Sequence, residues 1–216
     1  PGQSAGFYDI DVDGFDGPVR VFGLQWRGAR TGTAMEKVAS GIRATNERHG
    51  DPAFTVLLGH FGMEDEVPTL GGTVTHADLR EVNELVDYLA LGHIHKPYQS
   101  EGWIFNPGSP EAHSTREGGE DWEHGYYTVE LGQPDSRDEL DGERTVVDVS
   151  HHPTKRRPYY RIEFDVTAFD SPGELETVFR EHVYDQLDDI EEYCADPRYT
   201  AQGEPRAPVV DLRFRG

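Results

Sequence analysis

The first part of the chain alternates between apolar residues at every second position and apolar residues at helical spacing. Residues 7–24 alternate on both sides of the turn-forming GFDGP, which predicts a pair of strands with Ile10 and Val12 facing inward. Residues 33–42 then place apolar side chains on one helical face after TAME, a sequence of the capping-box form. The Gly-Asp-Pro that follows residue 49 ends this predicted helix.

One pattern then occurs twice: a helix, a continuous apolar run, a glycine and a histidine. The run FTVLL (54–58) is typical of a strand buried on both faces, and it ends before His60. A second helix is predicted from Thr75, which has an aspartate three residues later, and it leads to the apolar run 88–91 and His93. The pattern predicts parallel strands whose carboxyl ends lie at one edge of an α/β sheet.

The second half of the chain contains patterns of further strands, followed by a strand, helix, strand pattern. A meander that completes the sheet is expected from the strands 103–105, 126–131 and 144–149. From residue 157 onward the pattern is a strand (159–166), one long helix from Ser171 to Ile190 and a last strand (208–214). We therefore predict an α/β protein with domains 1–150 and 151–216, the second being a small strand, helix, strand lobe.

The composition changes the picture mainly through charge. The chain has 216 residues, 41 acidic against 20 basic ones and a formal net charge of -21. Such a surface repels itself unless salt screens it, as in proteins of salt-loving archaea, and it repels nucleic acid except where local cations or metal ions intervene. One cysteine excludes an internal disulfide, and no apolar run is long enough to span a bilayer. We expect a soluble cytoplasmic protein with no membrane partner.

Two motif matches do not carry chemistry. Residues 9–20 (DIDVDGFDGPVR) begin like a calcium loop, but the twelfth position holds Arg20 where the ion needs a glutamate. The GQSAG of residues 2–6 matches the serine-hydrolase motif, but an alternating segment follows it where that motif needs a helix.

The histidines at the predicted strand ends are the main candidates for a site. His60 follows one buried strand, and His93 and His95 follow the next, so that their side chains can meet in one crevice. Neutral imidazoles are good ligands for manganese, iron or zinc. Histidines that cap strands through backbone carbonyls are an equal alternative on the residues alone. His113 and the pair 151–152 are weaker candidates for phosphate contact.

Several segments together resemble the calcineurin-like metallophosphoesterases. They are VLLGHFG (56–62), DYLALGHIHKP (87–97), NPGSPE (106–111) and GYYTVEL (125–131). Within that family the chain is most similar to the SbcD-type nuclease subunit of DNA double-strand-break repair complexes. The resemblance implies that 1–150 is the C-terminal half of a layered β-sandwich with flanking helices, a partial metallophosphoesterase domain. It implies that 151–216 is a β-α-β cap that contacts DNA.

The resemblance also implies a two-ion manganese site for phosphodiester hydrolysis. His60 and His93 would bind one ion and His95 the other, while no residue is assigned as catalytic. The implied partners are double-stranded DNA, an SbcC-type coiled-coil ATPase, and a second copy through an absent N-terminal half. Local cations for DNA are predicted at Arg116, Lys155, Arg156, Arg157 and Arg161.

Three motifs of the family are missing from the sequence. They are an Asp-x-His, a Gly-Asp-x-x-Asp and a Gly-Asn-His, which supply the bridging aspartate, an asparagine ligand and the histidine that assists the leaving group. We therefore expect a C-terminal portion of a nuclease, with little or no activity of its own. Two alternatives stay open: another calcineurin-like phosphoesterase, acting on nucleotides or phosphoproteins, and a non-catalytic DNA- or partner-binding protein.

Overall fold

The protein is represented by a computed structural model that describes residues 6–67, 73–120, 122–131, 146–169, 171–201 and 204–216. In chain order its elements are β1 (Phe7–Ile10), β2 (Val19–Leu24), α1 (Thr31–His49), β3 (Phe54–His60), α2 (His76–Asn83), β4 (Tyr88–Gly92), β5 (Tyr98–Ser100), β6 (Ile104–Asn106), α3 (Thr115–Gly118), β7 (Gly125–Leu131), β8 (Val146–Pro153), β9 (Tyr159–Asp165), α4 (Pro172–Asp185), α5 (Leu187–Cys194), β10 (Thr200–Ala201), β11 (Glu204–Pro205) and β12 (Val209–Arg215). Short 3₁₀ turns precede α1 and β10.

The chain divides into two compact units. The first contains residues 1–109 and 125–152, and the second contains residues 110–124 and 153–216. Residues 110–124, which precede β7, thus belong to the second unit. The predicted boundary at residue 150 places them in the first domain. The assignment of the two units as a partial metallophosphoesterase domain and a cap stays a prediction.

A six-stranded sheet forms the centre of the first unit. Its order is β1-β2-β3-β4-β6-β5, with β2, β3, β4 and β6 parallel and with β1 and β5 antiparallel to their neighbours. Helices α1 and α2 pack on one face, where Leu57 and Leu89 join their buried side chains. The other face, with Phe54 and Tyr88, packs against residues of β7 and β8. The expected α/β fold is confirmed at this level.

The second unit is built around two parallel strands. β9 pairs with β12, and the chain between them forms α4 and α5. Ile162 of β9 packs with Ile190 and Cys194 of α5 in its small core. This is the strand, helix, strand arrangement predicted from the sequence. Among the described residues, no helix is long and apolar enough to cross a membrane.

Two local predictions in the first unit are wrong. Ile10 and Val12 do not face inward, since they are 43% and 39% exposed, because β1 is an edge strand that packs mainly through Phe7. Helix α1 has no capping box at Thr33; it begins two residues earlier, after a 3₁₀ turn, and the Thr33 hydroxyl donates to the carbonyl of Arg30. The capping box at Thr75 is confirmed.

Two predictions of longer-range organisation are also wrong. The strands β7 and β8 do not complete the central sheet but form a separate two-stranded sheet, and the short strand β5 was not predicted. The long helix from Ser171 is interrupted at Gln186, whose side chain accepts a hydrogen bond from Tyr160, so that α5 can bury Ile190. The predicted residues 144–145 and residues 2–5 of GQSAG lie outside the described part of the chain.

A buried arginine ties the edge of the central sheet to α1. Arg20 is 1% exposed, and its guanidinium donates two hydrogen bonds to the Asp9 carboxylate, at 2.8 and 2.9 Å. It also donates to Asn46 Oδ1 and to the carbonyl of Gly50, at 2.9 and 2.8 Å. The first acidic residue of the calcium-like segment is therefore engaged by the last residue of that segment.

Replacing this arginine should destabilise the first unit strongly. Arg20→Met leaves Asp9, Asn46 and the Gly50 carbonyl without their donor, and we expect a loss of about 3 kcal/mol in the free energy of unfolding. The control Arg43→Met removes an ion pair to Glu81 in which both side chains are at least 40% exposed, and it should cost less than about 1 kcal/mol. Urea titrations in molar KCl, followed by tryptophan fluorescence, measure both; equal losses would contradict the role of Arg20.

The same pair predicts a loss of stability in acid. The hydrogen bond from Arg20 is the main reason that the pKa of Asp9 lies below its ordinary value of 3.8. A carboxyl with a lowered folded-state pKa stabilises the fold above its unfolded-state pKa, and this stability is lost as the pH falls through the folded-state pKa. Between about pH 5 and pH 3, wild-type protein should therefore lose more stability than Asp9→Asn. Urea denaturation at each pH measures the free energy of unfolding. An equal loss in the two proteins across this pH range would refute the prediction.

Candidate metal site at the ends of the parallel strands

Two of the three predicted histidines meet at the carboxyl edge of the central sheet. His60 is the last residue of β3, and the parallel register sets it opposite Gly92, the last residue of β4. A β-carbon on Gly92 would lie 3.5 Å from Nδ1 of His60, so the His60 ring lies over this glycine. The rings of His60 and His93 are 5.0 Å apart between centroids, in an edge-on arrangement at 60°.

The loop after β4 begins with an unusual backbone conformation. His93 has a φ of 92°, a backbone conformation that residues other than glycine rarely adopt. Ile94 is 7% exposed and joins the core on the helix side, as expected for a residue that points away from the site. His93 and His95 are both half-buried on either side of it.

Residues 106–109 hold this loop in place through its backbone. Asn106 is completely buried, and its side-chain amide donates to the carbonyls of Ile94 and Lys96, both at 2.8 Å. The amide of Ser109 donates to the carbonyl of His95 at 3.1 Å. Gly108 has a φ of 78°, and a β-carbon there would lie 2.4 Å from the same carbonyl, so only glycine fits.

The surroundings of His93 favour its neutral imidazole. Partial burial is the main cause that lowers the pKa of His93 below its ordinary value, followed by the nearby charges of His60 and His95. A neutral imidazole has a free nitrogen lone pair, which is the form that binds a metal ion. His95 is thus close enough to act electrostatically on His93.

The histidines do not by themselves make a complete metal site. Within the described ranges, no group of three or more histidine, cysteine, aspartate or glutamate side chains is arranged to hold a metal ion. A two-ion centre needs an anionic ligand between its ions, because adjacent cations repel each other. The described residues fit part of such a centre, and ion binding by His60, His93 and His95 together stays a prediction.

The five cations predicted for DNA all belong to the second unit. Arg116 on α3 is 87% exposed at its side chain, and Lys155 and Arg157 are also exposed. Arg161 is half-buried and paired with Asp211 at 3.1 Å. Arg156 differs from the rest, since only 7% of it is exposed.

Sequence reasoning missed the residues that shape the histidine site. Asn106 and Gly108 stand in the quoted NPGSPE, but a buried asparagine directly after an apolar strand was not singled out as a support for the histidine loop. Trp26 was missed as well; its ring is 54% exposed and lies 6.4 Å from that of His93. Its position follows β2 at the same sheet edge, which is the signal that could have identified it.

Comparison with known proteins gives weak structural likeness only. No family model matches this chain, and no curated protein matches it. Among solved structures, the chain is similar to one described as "Putative 5'-Nucleotidase from Staphylococcus aureus in complex with alpha-ketoglutarate", at 17% identity and a TM-score of 0.43. The match covers 90% of this chain and 39% of that protein, so this chain spans well under half of its length. A likeness of this size does not assign a family or an activity.

The backbone at His93 predicts an unusual stability effect. Glycine adopts a φ of 92° without strain, so His93→Gly should raise the free energy of unfolding by about 1 kcal/mol. His95→Gly is the control, because among the described residues other than glycine only His93 and Glu101 have positive φ. It should lower stability by about 0.5 to 1 kcal/mol. The midpoints of urea denaturation of both variants and of wild type measure these effects. A His93→Gly variant less stable than wild type would show that no strain is stored at this residue.

Proposed function

We propose that this chain is part of a calcineurin-like metallophosphoesterase that hydrolyses DNA phosphodiesters, as the nuclease subunit of a double-strand-break repair complex. The observation that carries this function is the pair His60 and His93. Their rings lie 5.0 Å apart at the carboxyl edge of adjacent parallel strands, in segments whose sequence resembles that family. Ligands of α/β sheets bind at such edges.

The role of each histidine follows from its surroundings. His60 is exposed at the end of β3, and His93 is half-buried beside it with a lowered pKa, which favours the neutral, metal-binding form of His93. His95 is fixed on the loop that Asn106 supports. In the proposed centre these residues bind and orient divalent ions, with manganese as the proposed metal, and a bound ion supplies an activated water and offsets phosphate charge.

The proposed centre needs ligands that the described residues do not provide. A bridging carboxylate is the main one, since without it two cations would not be held side by side. The chain alone is therefore proposed to bind metal weakly and to cleave little or no DNA. The association with an SbcC-type ATPase, and pairing of two nuclease subunits, belong to the same proposal.

The second unit is proposed to hold the DNA against the repulsion of an acidic protein. Arg116, Lys155 and Arg157 are exposed there, in a chain with a formal charge of -21. Phosphate contacts made by such cations release counterions from the DNA, and they weaken as the salt concentration rises because that release then gains less free energy. The proposal therefore combines local cations for the backbone with metal ions for the scissile phosphate.

A non-catalytic DNA- or partner-binding protein is the second candidate. It is favoured by the lack, within the described residues, of a group of three metal-binding side chains. Such a protein would bind DNA equally well with and without divalent ions, whereas the proposed nuclease would show a metal-dependent component that needs the histidines.

Metal binding by single variants tests the proposal. Calorimetric titration of manganese into the chain, in molar KCl, should give weak binding that falls at least about tenfold in His60→Ala or His93→Ala, since each removes one ligand. The control His49→Gln replaces an exposed histidine at the end of α1 and should leave binding unchanged.

Cleavage of linear duplex DNA is the second measurement. The chain alone should give no manganese-dependent cleavage above the background of the His60→Ala variant. Equal manganese binding by wild type and both alanine variants would overturn the metal site. Rapid cleavage by the isolated chain would overturn the view that essential ligands are missing.

A further inference from the structure

The second unit contains a cleft in which arginine and aromatic side chains are concentrated. It encloses about 350 Å³, in the range of pockets that hold small ligands. Arg156, Trp122, Tyr159, Tyr193 and Tyr199 are among its lining residues. All of them belong to residues 110–124 and 153–216, so the cleft lies within one compact unit.

Arg156 is the unusual residue of this cleft. It is 7% exposed, yet its recorded hydrogen bond is a long one, 3.5 Å from Nη1 to the carbonyl of Gly118. The rings of Tyr159 and Tyr199 lie 5.8 and 5.6 Å from its guanidinium carbon. Within the described residues no carboxylate pairs with it. A buried cation without an anion is costly, and a guanidinium has five N–H groups to donate.

The other arginines of the cleft are already in contact with carboxylates. Arg161 is paired with Asp211 at 3.1 Å, and Arg198 is paired with Asp196 at 2.8 Å. Among the described residues, Arg156 is therefore the arginine of this cleft that has no paired carboxylate. In so acidic a chain, a buried unpaired arginine indicates a site for an anion rather than general surface charge.

The remaining lining adds a second donor and flat aromatic surface. The indole Nε1 of Trp122 is buried and has no hydrogen-bond acceptor among the residues that the structure describes. The hydroxyls of Tyr193 and Tyr199 are bonded to each other at 2.8 Å, and burial raises the pKa of Tyr193 to about 12, so this phenol stays neutral. The lining of the cleft thus combines a guanidinium and an indole N–H with aromatic rings on which a planar base can stack.

We propose that this cleft binds a nucleotide, with the phosphate on Arg156 and the base against the aromatic lining. The nucleotide is either free or the terminal nucleotide of a nucleic acid strand, since both present the same phosphate and base. The site uses neither His60 nor His93, and it does not depend on the proposed phosphoesterase function.

Titration calorimetry with 2′-deoxyadenosine 5′-monophosphate tests the site. The buffer contains molar KCl and EDTA, so that the result is independent of any metal centre. Wild-type protein should bind, and Arg156→Gln should bind at least about tenfold more weakly, because it loses the charged donor. Arg180→Gln is the matched control: it removes the same charge from an exposed residue of α4 that is paired with Glu176, and it should bind like wild type.

A second variant keeps the test valid if Arg156→Gln unfolds. Trp122→Phe retains an aromatic ring but removes the indole N–H, and it should weaken binding about threefold or more. Thermal melts of each variant show whether the second unit is folded. 2′-Deoxyadenosine, which lacks the phosphate, and 2-deoxyribose 5-phosphate, which lacks the base, should each bind at least about tenfold more weakly than the whole nucleotide.

A 5′-phosphorylated oligonucleotide distinguishes the two sources. Competition with the free nucleotide, lost when the 5′-phosphate is removed, assigns the cleft to strand ends; lack of competition assigns it to the free nucleotide. No binding of the nucleotide by wild type at millimolar concentration overturns the site. Equal affinity of wild type and of folded Arg156→Gln and Trp122→Phe also overturns it.

Discussion

The parallel pairing of β3 with β4 is the constraint on which the candidate metal site depends. Its register sets His60 opposite Gly92, so the next residue, His93, leaves the sheet beside the His60 ring. A shift by one residue would turn the side chains of a strand to the other face and would also expose Leu57 or Leu89, which are buried against the helices. The core that fixes the register therefore also fixes the distance between the histidines.

The loop between β4 and β5 is held by contacts to its backbone rather than to its histidines. Asn106 occupies two carbonyl groups and Ser109 a third, while Gly108 allows the chain to approach the carbonyl of His95. These contacts hold the loop in which His93 keeps its positive φ. These bonds engage carbonyl groups of the loop and not the imidazole rings.

Local sequence patterns predicted the elements that depend only on their own residues. The buried runs of β3 and β4 and the capping box at Thr75 needed no distant contact to be recognised. The exposure of Ile10, the interruption of the C-terminal helix at Gln186 and the separate β7–β8 sheet depend on which element lies next to which. Likewise, the sequence placed His60 and His93 at neighbouring strand ends, but it could not show that Asn106 supports them or that Arg156 is buried.

The single thiol of the chain makes the second unit observable by itself. Cys194 lies in α5, is 5% exposed and packs with Ile162 and Ile190, and burial raises its pKa, which keeps it in the unreactive protonated form. An alkylating reagent therefore reacts with it only during moments when α5 detaches from β9. The rate of alkylation of the unmodified protein therefore measures how often α5 opens.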